Sequence, residues 1–378
     1  MNWWQRLQKN GLARFGITVL IIFYLAVIGA DFFAPYDPFV SQTDGSLLPP
    51  TKIYWKNDEG KWIGPHVYPT IQGAIDLDTG KRDLIIDQSQ PSRLRLFVQG
   101  GSYNFLQLRL PLPTQWSLRE PKIEQTVIFP GFATSLHLLG TDGPGKLNIL
   151  GTDSDARDEF SRLLFGGRIS LSIGLVGVAI SFPLGMLIGG ISGYFGGVTD
   201  SVIMRLVEVL MSIPSIYLLV ALAAVIPTGL SSSDRFLLIV LITSFVSWSG
   251  LARVIRGQVL SLKQREFVQA AKAMGGNSLY IIIRHILPQT ATYIIIAATL
   301  SVPSFIGAEA VLSLIGLGIQ QPDPSWGNML SLATSASILI LQPWLIWPPA
   351  ILIILTVLSF NLLGDALRDA LDPQSVQR

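Results

Sequence analysis

Six long apolar stretches leave this 378-residue chain few folds to choose from. They run from about Phe15 to Phe33, Ser170 to Phe195, Val202 to Ile226, Phe236 to Val254, Thr290 to Ala308 and Trp344 to Leu363. A bilayer core of roughly 30 Å is crossed by about 20 apolar residues in helical form. Hydrocarbon offers no partner to a backbone N–H or C=O, so such stretches become helices, which satisfy these groups internally. Composition agrees, with 49% of residues hydrophobic and 14% charged, against about 25% charged in soluble domains. The expected fold class is an all-α polytopic membrane protein of six transmembrane helices.

Lysine and arginine near the spans set the orientation. Arg6, Lys9 and Arg14 precede the first span, and Arg253, Arg256, Lys263, Arg265, Lys272 and Arg284 crowd the connection between the fourth and fifth. Arg368 and Arg378 follow the sixth, whereas the connection after the third carries only Arg235 and the one after the fifth none. Both termini are expected in the cytoplasm, as is the loop over 255–288. The first span has the basic start of a signal peptide, but Ile28 suits a cleavage site after Ala30 poorly, so it is expected to stay as a membrane helix. A net charge of +2 points to no nucleic-acid partner, and zero cysteines exclude disulfides and thiolate chemistry.

Between residues 34 and 150 the apolar runs stop, and an inserted β-rich extracytoplasmic domain is expected. "RLRLFVQ" (Arg93 to Gln99) and "FLQLRLPL" (Phe105 to Leu112) both alternate, with "GGSYN" between them, the pattern of a β-hairpin. The chain thus divides into 1–33 (N-terminus and first helix), 34–150 (insert) and 151–378 (a five-helix core containing the 255–288 loop). "GTDGPGKL" (Gly140 to Leu147) matches a phosphate-binding loop as far as its lysine. That motif needs Ser or Thr next, to hold Mg²⁺; Leu147 stands there, and an ordinary turn is expected.

Other chemistry is sparse. His66, His137 and His285 are scattered, without metal-ligand spacing. Asp153, Asp155, Asp158 and Glu159 sit beside Arg157 and Arg162; this reads as a helix start laced with ion pairs rather than an acid–base site. Arg205 and Glu208, three residues apart on the third span, share a helical face and are taken as a structural pair near its cytoplasmic end. Gln289 to Gly318 is about 45 Å of helix, too long for one straight span, so Pro303 is expected to break it and leave Glu309 near the outer surface. No catalytic residue is identified.

One polar interval stands apart: "EFVQAAKAMGGNSLYIIIRHILPQ", Glu266 to Gln289. Phe267, Ala270, Ala271 and Met274 fall at i, i+3, i+4 and i+7, an apolar stripe whose alanines would let another surface approach the backbone closely. Glu266 suits the first helical turn, and Gly275 with Gly276 suits its end. Spacing alone leaves open whether the stripe packs on its own bundle or docks a partner.

This interval resembles the EAA loop of membrane subunits of ABC importers: Glu-Ala-Ala, three residues, Gly, nine residues, Ile, any residue, Leu-Pro. Gln269, Ala270, Ala271, Gly275, Leu287 and Pro288 fall on that pattern. Gln269 replaces the glutamate and His285 the isoleucine. "LGTDSDARDEFSRLLFGGRISLSIG", "GYFGGVTDSVIMRLVEVLMSIPS", "LSLIGLGIQQPDPSWGNML" and "FNLLGDALRDALDP" extend the resemblance to the dipeptide/oligopeptide/nickel branch of these permeases, over about Leu150 to Pro373. Ala156 stands where the branch usually has Gly, and the insert is longer than in many members.

The resemblance implies a type I importer permease subunit in a bacterial inner membrane, forming half of a pathway with a second, homologous permease subunit. Two cytoplasmic ATPases, which carry the ATP and Mg²⁺, would each bind one coupling helix, here Glu266, Phe267, Gln269, Ala270, Ala271, Met274 and Gly275 with Leu287 and Pro288 behind it. An extracytoplasmic binding protein would deliver a di- or oligopeptide, or another cargo such as a nickel chelate. The chain itself would bind no cofactor and be no enzyme; its other neighbour is membrane lipid. A stand-alone channel or secondary carrier, and a membrane-anchored enzyme, are the rival readings.

Overall fold

The computed structural model describes residues 3–43, 45–76, 82–115, 122–227 and 230–371. Asp372, Pro373 and Arg378, singled out above, lie outside the described residues. Helices α1 (Trp3–Lys9), α2 (Gly11–Ile28) and α3 (Ala30–Phe33) open the chain. Strands follow: β1 (Tyr54–Lys56), β2 (Trp62–Val67), β3 (Thr70–Ile75), β4 (Arg82–Ile86), β5 (Ser92–Phe105), β6 (Leu108–Gln115), β7 (Lys122–Phe129) and β8 (Phe132–Thr141). The rest is helical: α4 (Glu159–Phe195), α5 (Gly197–Ser212), α6 (Ser215–Ala224), α7 (Ser232–Leu262), α8 (Glu266–Ala273), α9 (Ser278–Ile281), α10 (Ala291–Leu314), α11 (Trp326–Leu330), α12 (Ala336–Leu341) and α13 (Trp347–Leu371).

Among the described residues five helical segments are long and apolar enough to cross a membrane, and the count reaches six if α5 and α6 form one span. Those two meet at an 86° bend, so the third expected span is not one straight helix. Pro214 is the cause: it follows Ile213, whose backbone is extended, and its ring denies the helix an N–H. The fifth span departs the other way. α10 runs unbroken through Pro303 to Leu314. Neighbouring helices stabilise such a position in a membrane helix, and here Val302 and Phe305, on either side of Pro303, pack against Gly174 and Gly177 of α4.

Between apolar helices in lipid there is little hydrophobic driving force, and close backbone approach takes its place. α4 supplies it with glycines at a four-residue period. A Cβ on Gly185 or Gly193 would stand 2.9 Å from the Trp248 carbonyl or 2.8 Å from that of Arg256, and one on Gly189 would strike the Ala252 carbonyl. α4 and α7 therefore run side by side in the same direction. On another face of α4, Gly174 and Gly177 admit Val302 and Phe305 of α10. Leu171, Val302, Ile306, Trp326 and Phe360 close a core that ties α4, α10, α11 and α13 to Leu20 and Val27 of α2.

The β-rich segment contains a four-stranded sheet, β1-β2-β5-β8, and two-stranded pairs β3-β4 and β6-β7. The expected hairpin is corrected here. β5 continues through "GGSYN", where its register with β8 shifts between Gln99 and Tyr103, to Phe105, and it pairs with β8, not β6. Register Phe105↔Phe132 is followed by Leu108↔Phe129, so β5-β8 and β6-β7 form one long antiparallel ribbon. Between the two pairs Leu106 and Gly131 take positive φ, a Cβ at Gly131 being barred by the Phe105 carbonyl, and further register shifts lie between Leu108 and Arg109 and between Pro113 and Gln115. The ribbon touches α3 through β5 and β8, and α7 through β6 and β7.

Candidate functional site

The 255–288 loop begins where α7 ends. Arg265 is extended and heads α8, with Glu266 in its first turn, where an acid complements the helix dipole. The helix closes with a Schellman arrangement: Gly276 N–H donates to the Ala271 carbonyl at 3.1 Å and Gly275 N–H to that of Lys272 at 3.0 Å. Gly275 sits at φ +84°, a conformation that glycine adopts without strain. Asn277 then caps α9 by accepting from Leu279 N–H. A π turn over Ile282–Ile286 passes into a 3₁₀ turn that begins at Leu287–Pro288, the kind of ladder shift by which a helix accommodates a proline.

Burial divides the predicted stripe. Val268 (1% exposed) and Ala271 (5%) face inward, packing with Ile281, Ile282, Ile286, Leu287 and with Phe182, Leu251, Ile255 and Val259. Phe267 (40%), Ala270 and Met274 (81%) face out, as do Glu266 and Gln269. The expectation that Ala271 offers a close-approach surface is corrected: its small size serves the packing of α8 on its own bundle. The outward apolar face is Phe267, Ala270 and Met274. Gln269 Nε2 donates to the Lys263 carbonyl at 2.8 Å, a bond that a carboxylate could not make. Lys263 Nζ in turn donates to the Gly193 carbonyl at 2.9 Å.

Sequence reasoning missed the clamp behind this loop. Arg256 of α7 grips Asp200 of α5 with Nε at 2.6 Å and Nη2 at 2.5 Å, and Ser192 of α4 donates to the same carboxylate at 2.5 Å. The signal was an aspartate in the first turn of α5, with a single arginine facing it 56 residues on. The clamp and Lys263 join the ends of α4, α5 and α7 just before α8.

The remaining residues are dispersed. His66 bonds the Gly64 carbonyl and Tyr68, His137 the Ala34 and Gly101 carbonyls, and His285 lies against Tyr280. Among the described residues no three His, Asp or Glu side chains gather as a metal site. Gly140 to Leu147 leaves β8 as a turn with no helix behind it; Thr141 Oγ1 bonds the Gly145 carbonyl. Arg157 pairs with Asp153 at 2.8 Å and Asp155 at 2.7 Å, and Arg162 approaches Asp153 at 3.3 Å. Asp158 caps α4, accepting from Ser161 N–H and Oγ. Burial, with Asp153 adding to it, pushes the Asp158 carboxyl up to about 7. Glu309, expected near the outer surface, is wholly buried and accepts from Ser313 and Ser325 at 2.7 Å each. Arg205 Nη1 meets Glu208 Oε2 at 3.2 Å on the outer face of α5.

Comparisons with known proteins bear on what such a bundle does. Residues 182–376 match the family "Binding-protein-dependent transport system inner membrane component", and residues 2–50 match the N-terminal transmembrane domain of oligopeptide transport permease C. The oligopeptide transport system permease protein OppC of Haemophilus influenzae is 43% identical over 60% of this chain and 70% of its own. The dipeptide permease DppC of Bacillus subtilis is 42% identical over 61% and 70%, and the glutathione permease GsiD of Pectobacterium atrosepticum 40% over 62% and 75%. Among solved structures, an inward-facing MetNI methionine ABC transporter covers 56% of this chain and 96% of its own at 19% identity with a TM-score of 0.42, too loose a likeness to carry an argument. The two family matches leave residues 51–181, with all eight strands, unmatched. The first match spans more than half of the chain, which therefore belongs to the binding-protein-dependent inner membrane components, as an ABC importer permease of the peptide branch.

Proposed function

We propose that this chain forms half of the membrane pathway of an ATP-driven peptide importer, and that α8 is its coupling helix. The observation that carries the reading is the division of α8. Val268 and Ala271 fix the helix to the bundle, while Phe267, Ala270 and Met274 leave a short apolar face open beside Glu266 and Gln269. An amphipathic helix seated in a groove of a partner presents such a face. Leu287 and Pro288 position it from behind. A cytoplasmic ATPase, which binds ATP and Mg²⁺, docks on that face. Because α8 follows the Asp200–Arg256 clamp and Lys263, its displacement moves α4, α5 and α7 together. The relatives' names support a di- or oligopeptide cargo.

A second, homologous permease subunit completes the type I pathway. The termini and α8 lie on the cytoplasmic side, where the basic residues gather. The ribbon then lies outside, where it contacts both α3 and α7 and meets the binding protein that delivers cargo.

The chain, tagged and purified from membranes, is expected to bring a second permease and two ATPases with it. Ala270→Arg leaves the permease pair intact and removes the ATPases. Full ATPase recovery with Ala270→Arg would end the coupling assignment; purification of the chain alone would favour a stand-alone carrier.

A further inference from the structure

α5 carries its polar residues in one line. Ser201, Arg205, Glu208 and Ser212 fall at i, i+4, i+7 and i+11, which places them on one helical face, and all four are exposed. On the other side of α5 Val207 is buried against Trp248 and Ala252, while the apolar Val202, Leu206 and Val209 are exposed. Trp248 lies midway along the 31-residue α7. The polar line therefore climbs from the Asp200–Arg256 clamp towards the level of Trp248.

Charged side chains within a membrane span almost always face a bundle interior or a water-filled cavity rather than lipid tails. A dry contact with a sister subunit fits no better, because a guanidinium has five N–H donors and a buried ion pair needs all of them satisfied. Here Arg205 is 81% and Glu208 50% exposed. Water satisfies such a pair without further partners.

A second observation points the same way. α5 stops at Ser212, and Pro214 contributes no N–H; the Ser212 hydroxyl donates to the Val209 carbonyl at 2.7 Å, and the carbonyls after it lack helical donors. Leu219 and Ala223 of α6 pack on Ile239 and Val240, so the break lies between that level and Trp248. Broken helices at membrane depth are tolerated where they line a water-filled cavity, and their ends bind charged groups of substrates. A helix C-terminus favours a cation. Along the stripe the order is then carbonyl ends, Glu208, Arg205: a negative end above a positive one.

We propose that this face of α5 lines the water-filled path and holds zwitterionic peptides in transit, the α5 end and Glu208 taking the ammonium group and Arg205 the carboxylate. The assignment of cargo rests on the function proposed above; the lining of the path does not. The chain has no cysteine, so single cysteines report cleanly. In the complete complex in membranes, Ser201→Cys and Ser212→Cys are expected to react with a membrane-impermeant thiosulfonate, while Ile22→Cys and Ile354→Cys, on exposed faces of α2 and α13, do not. No reaction at 201 and 212 with or without ATP would overturn the lining.

Cargo contact is read from uptake of a free tripeptide. Glu208→Gln lowers it at least fivefold in complexes that still assemble with both ATPases. The exchanged pair, Arg205→Glu with Glu208→Arg, keeps an ion pair but reverses its order and does not restore uptake. Uptake restored by the exchange, or unchanged in Glu208→Gln, would overturn the peptide-holding role. Wild-type complex that takes up no peptide while Ser201→Cys and Ser212→Cys react would instead count against the peptide function and leave the lining standing.

Discussion

At Ala271 the α8 helix turns inward, and at Ala270 it turns outward. The sequence pattern put both on one stripe, because period alone does not say which flank of a narrow stripe meets its own bundle. The four isoleucine and leucine side chains of the loop's far arm, Ile281, Ile282, Ile286 and Leu287, make that choice by packing on Val268 and Ala271. Glu309 shows the same limit: its partners Ser313 and Ser325 are separated by a turn that local pattern does not reveal. Asp158 was legible as part of a helix start, but its complete burial was not. An acid whose pKa is raised in the fold holds its proton more tightly there than in the unfolded chain. Stability therefore falls as pH rises from the unfolded value near 3.8 to about 7, and levels off above. The wild-type complex is expected to lose about 1–2 kcal/mol between pH 5.5 and 7 from this group. Asp158→Asn, which keeps a cap, loses that dependence, as thermal unfolding at the two pH values shows; an identical slope in both proteins would remove Asp158 as the source.

Among the elements, the helices were readable because each apolar run is long, whereas turns were not. "GGSYN" has turn composition, yet it sits inside β5, since pairing with β8 on one side outweighs the weak strand preference of glycine. Pro214 breaks its span and Pro303 does not; both look alike in sequence, and the surrounding helices decide. The α4–α7 contact depends on Gly185, Gly189 and Gly193. Gly189→Leu drives a side chain into the Ala252 carbonyl and is expected to cost about 1–3 kcal/mol or more, seen as a lowered unfolding temperature of the purified complex; an unchanged temperature would show that the helices part without penalty. For the ribbon, replacing residues 107–130 with a short Gly/Ser link keeps β5 paired to β8. Binding-protein affinity of the reconstituted complex is expected to fall at least several-fold, with the ATPases retained. Equal affinity would leave β6 and β7 without a docking role.

For the whole molecule, membrane character and family were legible from composition and from ordered motifs across the core. The β-rich segment, outside both family matches, was legible only as strand-rich. The central claim is that ATP hydrolysis reaches the peptide pathway through α8. The most direct measurement is ATP-dependent uptake of a labelled tripeptide by proteoliposomes holding the full complex with its binding protein, wild type beside Ala270→Arg. The wild-type complex is expected to accumulate peptide only with ATP and binding protein, and the variant less than a tenth as much. Equal accumulation by both, or accumulation without ATP, would contradict the account.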